Sequence, residues 1–142
     1  MLVGIPGGSQ RSAEPGQPNP PDNATLGYLN EFGVPEKNIP ARPFLLPGVE
    51  SVKEAVAARL KKAIPLAMAG DRGAVDATLN AVGLIAVDAV QQKLLDGPFP
   101  PLSPRTLKAR KARGRTGEKP LIDKGLLRRS ITYSIREKGP GR

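Results

Sequence analysis

Apolar residues recur every three or four positions through two long stretches of the chain. Val49, Val52, Val56, Leu60 and Ala63 or Ile64 share one face of a helix predicted over 49–64. Lys53, Arg59, Lys61 and Lys62 lie elsewhere around it. Pro65 kinks or ends this helix, and Gly70 breaks it in any case. A second helix is predicted over 72–95, capped by Asp71 or Gly70. Its stripe is Val75, Leu79, Val82, Ala86, Ala89 or Val90, and Leu94. Gly83, Ala86 and Ala89 are small and permit close packing on that stripe. The short Gly-Asp connection makes the pair an antiparallel helical hairpin over 49–95, which is expected to supply most of the core.

Elsewhere the period is shorter or the signal weaker. Residues 2–5 form a short strand candidate, ended by Pro6. Thr25, Leu29 and Phe32, with Tyr28, predict a helix of about two turns, capped by Asn23 and stopped by Gly33. Glu31 sits in its last turn, the wrong end for the helix dipole. It is expected to be a solvated acid, or else a salt-bridge partner of Arg42. Ser103 and Pro104 open a short helix over 105–112 in which only Leu107 is strongly apolar. After Pro120-Leu121-Ile122, Asp123 caps a single turn over 124–128 that bears Leu126 and Leu127. Residues 130–136 alternate cleanly, with Ile131, Tyr133 and Ile135 on one face. This strand is expected beside residues 2–5. Two strands alone are marginal, so a third is expected from residues 38–48 or from another subunit.

Residues 38–48 carry Pro40, Pro43 and Pro47, which argue against a helix there. The segment is read as an extended strap that takes Ile39, Phe44, Leu45 and Leu46 into the core, with Pro47-Gly48 releasing the chain into the first long helix. The plain alternative is a proline-rich connector. Pro98, Pro100 and Pro101 make a second stiff segment, presenting Phe99 and Leu102. Residues 7–22 are rich in Gly, Pro, Ser and Gln and are expected to form an extended arm. The fold class is therefore α+β in one domain spanning 1–142: a helical hairpin on a small antiparallel sheet, with long Pro/Gly-rich loops.

Composition narrows the chemistry. The chain has 142 residues with no Cys and no His, which removes thiolate and imidazole catalysis and the usual zinc ligand sets. No nucleotide-binding loop is present. Asp71, Asp76, Asp88 and Asp96 are the carboxylates left for acid–base work, and they read as solvated charges on helix faces. No catalytic residue, metal or cofactor is expected. No run is expected to reach the length of a membrane span.

The net charge of +9 is concentrated at one end: 13 Lys/Arg against 3 Asp/Glu from residue 105 onward, and 9 against 10 before it. Arg105, Lys108, Arg110, Lys111, Arg113, Arg115 and Lys119, over 104–119, are the candidate contacts to an acidic partner or to phosphate. No aromatic residue lies between Leu102 and Ile131 to stack on bases. A solvated loop is the plain reading of the same tract.

Several segments in order carry a resemblance. They are a Val-Gly-Ile-Pro-Gly-Gly start, Glu31-Phe32-Gly33, and Ile39-Pro40-Ala41-Arg42-Pro43-Phe44-Leu45. Phe99-Pro100-Pro101-Leu102-Ser103-Pro104 and Leu121-Ile122-Asp123-Lys124-Gly125-Leu126 follow, then Ser130-Ile131. The chain resembles the small neck and tail-completion proteins of tailed bacteriophages and prophages along nearly its whole length. It departs at Lys124, where that group usually has Thr. The resemblance implies a non-enzymatic α+β virion protein, assembled in the host cytoplasm. It implies a homo-oligomeric ring, commonly a hexamer, at the head-proximal end of the tail. It also implies tail-terminator or tail-tube and head-connector proteins as neighbours, possible non-specific contact with packaged DNA, and no membrane. On that analogy the arm and the basic loop reach neighbours, while the strap residues Ile39, Pro40, Arg42, Pro43, Phe44 and Leu45 are chiefly structural.

Overall fold

A computed structural model of the chain describes residues 1–137 apart from 9, 10, 14, 17, 123 and 124. In chain order these form β1 (Leu2–Gly4), α1 (Asn23–Phe32), α2 (Leu45–Ser51), α3 (Lys53–Met68) and α4 (Arg72–Asp96). Then come α5 (Pro104–Ala112), α6 (Leu126–Ser130) and β2 (Thr132–Ser134). The fold is α+β. α4 packs on α2, on α3 and on both strands. β1 and β2 pair antiparallel, with Leu2 opposite Ser134, Val3 opposite Tyr133 and Gly4 opposite Thr132.

The core forms where the second half of α4 meets the strap and the C-terminal segment. Phe44, Val90, Leu94, Leu127 and Ile131 are its buried cluster. Val3, Ile5, Leu26, Phe99, Leu121 and Ile122 pack around them. Gly48 of α2 makes close packing on α4 possible. A Cβ on it would stand 2.7 Å from the Val90 Cα.

The first long helix differs from its prediction in start, continuity and end. It begins at Leu45, inside the strap, with Pro47 in its first turn. There the missing N–H costs nothing, because the first N–H groups of any helix lack an intrahelical partner. At Val52, with φ −113° and ψ 7°, the chain turns from α2 into α3. Pro65 does not end α3, which runs on to Met68. Pro65 falls in the last turn, and the carbonyl of exposed Lys61, which loses its partner, is left to water. The predicted apolar face of this helix is also mostly uncovered, since Ala63 is its one buried residue within α3.

Three further expectations are corrected. The strap adds no third strand. Its Ile39 makes only an isolated antiparallel bridge to Val34, because the strap turns into α2 six residues later. Asp22, not Asn23, caps α1, accepting the Thr25 N–H at 2.9 Å. Asn23 instead receives the Arg11 Nε at 2.7 Å. Finally, α4 holds an 18-residue window of mean hydropathy 1.4 and is long and apolar enough to cross a membrane by length and composition. Asn80 and Asp88 interrupt its apolar run, which hid that length from a count of unbroken apolar residues. In this fold it is the central helix, with Val82, Ala86, Val90 and Leu94 buried. The predicted cap Asp123 and the neighbouring Lys124 lie outside the described residues, and α6 starts after Gly125 instead of at 124.

Candidate functional site

α1 is turned the opposite way from its apolar pattern. Asn23, Gly27 and Glu31, four residues apart, are its buried positions. Tyr28 and Phe32 are 66% and 56% exposed, with ring centroids 4.9 Å apart. Glu31 is the reason. Its carboxylate accepts the N–H groups of Phe44 at 2.8 Å, Leu45 at 2.9 Å and Leu46 at 2.9 Å. These open α2, at the positive end of the helix dipole. Phe44 precedes α2 without a side-chain oxygen, so the cap is supplied from another helix. Both expectations for Glu31, a solvated acid or a salt bridge to Arg42, are corrected: buried N–H groups at a helix start require acceptors, and this carboxylate provides them.

Arg42 clasps the other side of the strap. It is buried, and its guanidinium donates from Nε to the Pro100 carbonyl and from Nη2 to the Pro101 carbonyl, each at 2.8 Å. Its own backbone N–H donates to the Asn30 carbonyl at 2.6 Å. Loss of water around the group lowers its pKa from the ordinary arginine value. The Glu-Phe-Gly turn lies directly against the same segment. Gly33 sits at φ 71°, and a Cβ there would be 2.6 Å from the Ala41 nitrogen.

The strap therefore delivers less to the core than its composition suggested. Phe44 is 1% exposed, and Leu45 is half-buried. Ile39 and Leu46 are not core residues, and Pro40 and Pro43 are exposed. Because α2 begins at Leu45, successive side chains rotate about 100° around a helix instead of lying along a strip, which turns Leu46 outward.

The basic tract divides in two. Arg105, Lys108, Lys111, Arg113 and Lys119 are exposed, and Arg115 is half-exposed. Arg110 is buried, contrary to its expected place among the partner contacts. Its Nη1 donates to the carbonyls of Gly117 at 2.9 Å, Lys119 at 3.1 Å and Ile122 at 3.0 Å. Arg110 thus folds the loop after α5 back onto the helix. Arg11, Arg42 and Arg110 line one cleft of ≈ 160 Å³ with Leu26, Leu102 and Leu127. Carbonyl dipoles take the place of water around its two buried guanidiniums.

Sequence reasoning missed the inward stripe of Asn23, Gly27 and Glu31. The signal available was Gly27, a residue with no side chain at the same spacing as a polar pair. A Cβ on it would meet the Ile5 side chain at 2.6 Å. Nothing local marked Arg110, whose acceptors among the described residues include three backbone carbonyls. Comparison with protein-family models, curated proteins and solved structures gives no match.

Proposed function

We propose that this chain is a non-enzymatic structural subunit of a tailed-phage virion. In this reading it forms a ring at the head-proximal end of the tail and joins the tail to the head connector. One observation carries the proposal. The segments that resemble neck and tail-completion proteins bind one another: Glu31 of the Glu-Phe-Gly turn holds the strap, and Arg42 of the strap holds the Phe-Pro-Pro segment. The motif string is thus one interlocked unit, and its buried charged groups go to backbone partners instead of facing a substrate.

The exposed parts suit contact with neighbours. They are most of the described residues of the arm before α1, the basic face of α5 and the aromatic pair of α1. No cofactor or catalytic residue has a place in this proposal. Electron microscopy of particles made without the protein tests it. Heads and tails left unjoined are the expected result, and tails joined normally to heads refute it.

One feature favours a second reading. Arg105, Lys108 and Lys111 recur every three residues along exposed positions of α5, a spacing suited to a line of phosphates. As a non-specific nucleic-acid module, the chain would bind duplex DNA at low salt and release it steeply as salt rises. Absence of binding at low salt removes this reading.

A further inference from the structure

A groove of ≈ 230 Å³ opens between α1 and α2, lined by Ile5, Gly27, Tyr28, Phe32, Leu45 and Leu46 among others. Leu46 is 62% exposed, comparable to the two aromatic residues beside it. A concave apolar floor rimmed by exposed aromatics is the form of surface that a partner covers.

A second apolar surface lies at the far end of the hairpin. Leu60, Ile64 and Met68 recur every four residues along α3, and their exposure rises from 37% through 55% to 84% toward its tip. These two surfaces cannot meet within one copy. α2 lies beside Val90, while the turn from α3 precedes Arg72. About eighteen residues of continuous α4 separate them, roughly 27 Å at the helical rise. Two different apolar patches, held apart on one rigid helix, meet the geometric requirement for head-to-tail contact between identical copies.

Charge is complementary as well. Around the groove, over 22–54, the groups outside the buried clasp are Asp22, Glu36, Glu50 and Glu54 against Lys37 and Lys53, a balance of −2. Around the tip, over 57–80 together with Glu137, which shares a cleft with Gly70, Arg72 and Asp76, they are Arg59, Lys61, Lys62 and Arg72 against Asp71, Asp76 and Glu137, a balance of +1. Tip against tip would set like charge on like.

We infer that the groove takes the hairpin tip of a second copy, with Ile64 and Met68 entering between Tyr28, Phe32 and Leu46. The inference rests on the ring-subunit reading and names the contact through which copies join. Methionine suits the role because its unbranched side chain adapts to an irregular groove and its sulfur packs well on aromatic edges.

The chain has no cysteine, so introduced thiols report contacts cleanly. Leu46→Cys and Met68→Cys are made separately in the full chain at exposed sites, checked for native circular dichroism, and oxidised alone and mixed. The mixture is expected to give the mixed disulfide well above either homodimer. Met68→Asp in the otherwise unchanged chain is expected to weaken self-association by about tenfold or more in sedimentation. Predominant Met68→Cys homodimers, meaning tip-to-tip pairing, overturn the inference. So does a wild-type chain that stays monomeric at every concentration, or a mixed disulfide seen only after residues 7–22 are deleted, which would make the chain's own arm the occupant. A missing disulfide beside unjoined heads and tails removes this contact and leaves the ring-subunit reading standing. Particles completed without the protein remove that reading independently.

Discussion

A carboxylate taken out of water needs hydrogen-bond donors in its place, and Glu31 finds three on the opening turn of α2. Glu31→Gln keeps the shape but turns an acceptor-only group into one with an N–H₂ that faces backbone N–H groups. It is expected to lower the free energy of unfolding by about 2–3 kcal/mol in urea titration. An unchanged midpoint and slope would show that the cap contributes nothing. Arg42→Lys retains charge but cannot fork onto both the Pro100 and Pro101 carbonyls, and a loss of about 1–2 kcal/mol is expected in the same assay. Asp22 responds to acid. Hydrogen bonds from the Thr25 hydroxyl, the Thr25 N–H and the Gly8 N–H hold its pKa below the ordinary carboxylate value. A depressed folded pKa means the stabilisation is present above the ordinary carboxylate pKa and fades as pH falls through the folded one. The protection factor of the Thr25 amide, its exchange relative to the intrinsic rate at each pH, should therefore fall in that acid window, and Asp22→Asn should remove that fall. None of these roles for Glu31 and Arg42 was legible in the sequence. Their partners are backbone groups 13 or more residues away, and a backbone N–H or carbonyl leaves no mark on residue identity.

The two long helices were legible as elements because their apolar period is sustained over several turns. Their packing was not, since periodicity shows which positions share a face without showing whether anything covers it. On α4 the stripe is buried from Val82 to Leu94, where α2, the strands and the C-terminal segment converge. On α3 the corresponding stripe is buried only at Ala63 and half-buried at Val56, with Ile64 left exposed. The prolines misled in two places. Pro47 was read as a boundary and Pro65 as a kink or an end, yet both lie within helices: Pro47 in a first turn, where the N–H has no intrahelical partner, and Pro65 in a last turn, where one carbonyl, that of Lys61, loses its donor. At Gly48 one helix comes up against the backbone of another. Gly48→Ala places a Cβ 2.7 Å from the Val90 Cα, a backbone atom that cannot swing aside. It is expected to destabilise the fold by about 1–3 kcal/mol and to lower the thermal midpoint. A neutral effect would mean that α2 rides on α4 more loosely than described.

At the scale of the molecule, the α+β class, the antiparallel strand pair and the basic C-terminal quarter could all be read from pattern and charge. The sequence did not show which apolar residues the fold leaves outside. Tyr28, Phe32, Leu46, Ile64 and Met68 each looked like core material or like nothing in particular, and all five are exposed. The proposal that neighbours complete this chain rests on segments locked together by buried charges and on Tyr28 and Phe32 left outside. Imaging of assembled particles at side-chain resolution tests that claim most directly. The account predicts a closed ring of this chain between head and tail, with the Glu31 clasp inside each subunit and the α1 aromatics covered by an adjoining copy. Particles that lack the chain altogether, or a lone copy with those aromatics facing solvent, would contradict it.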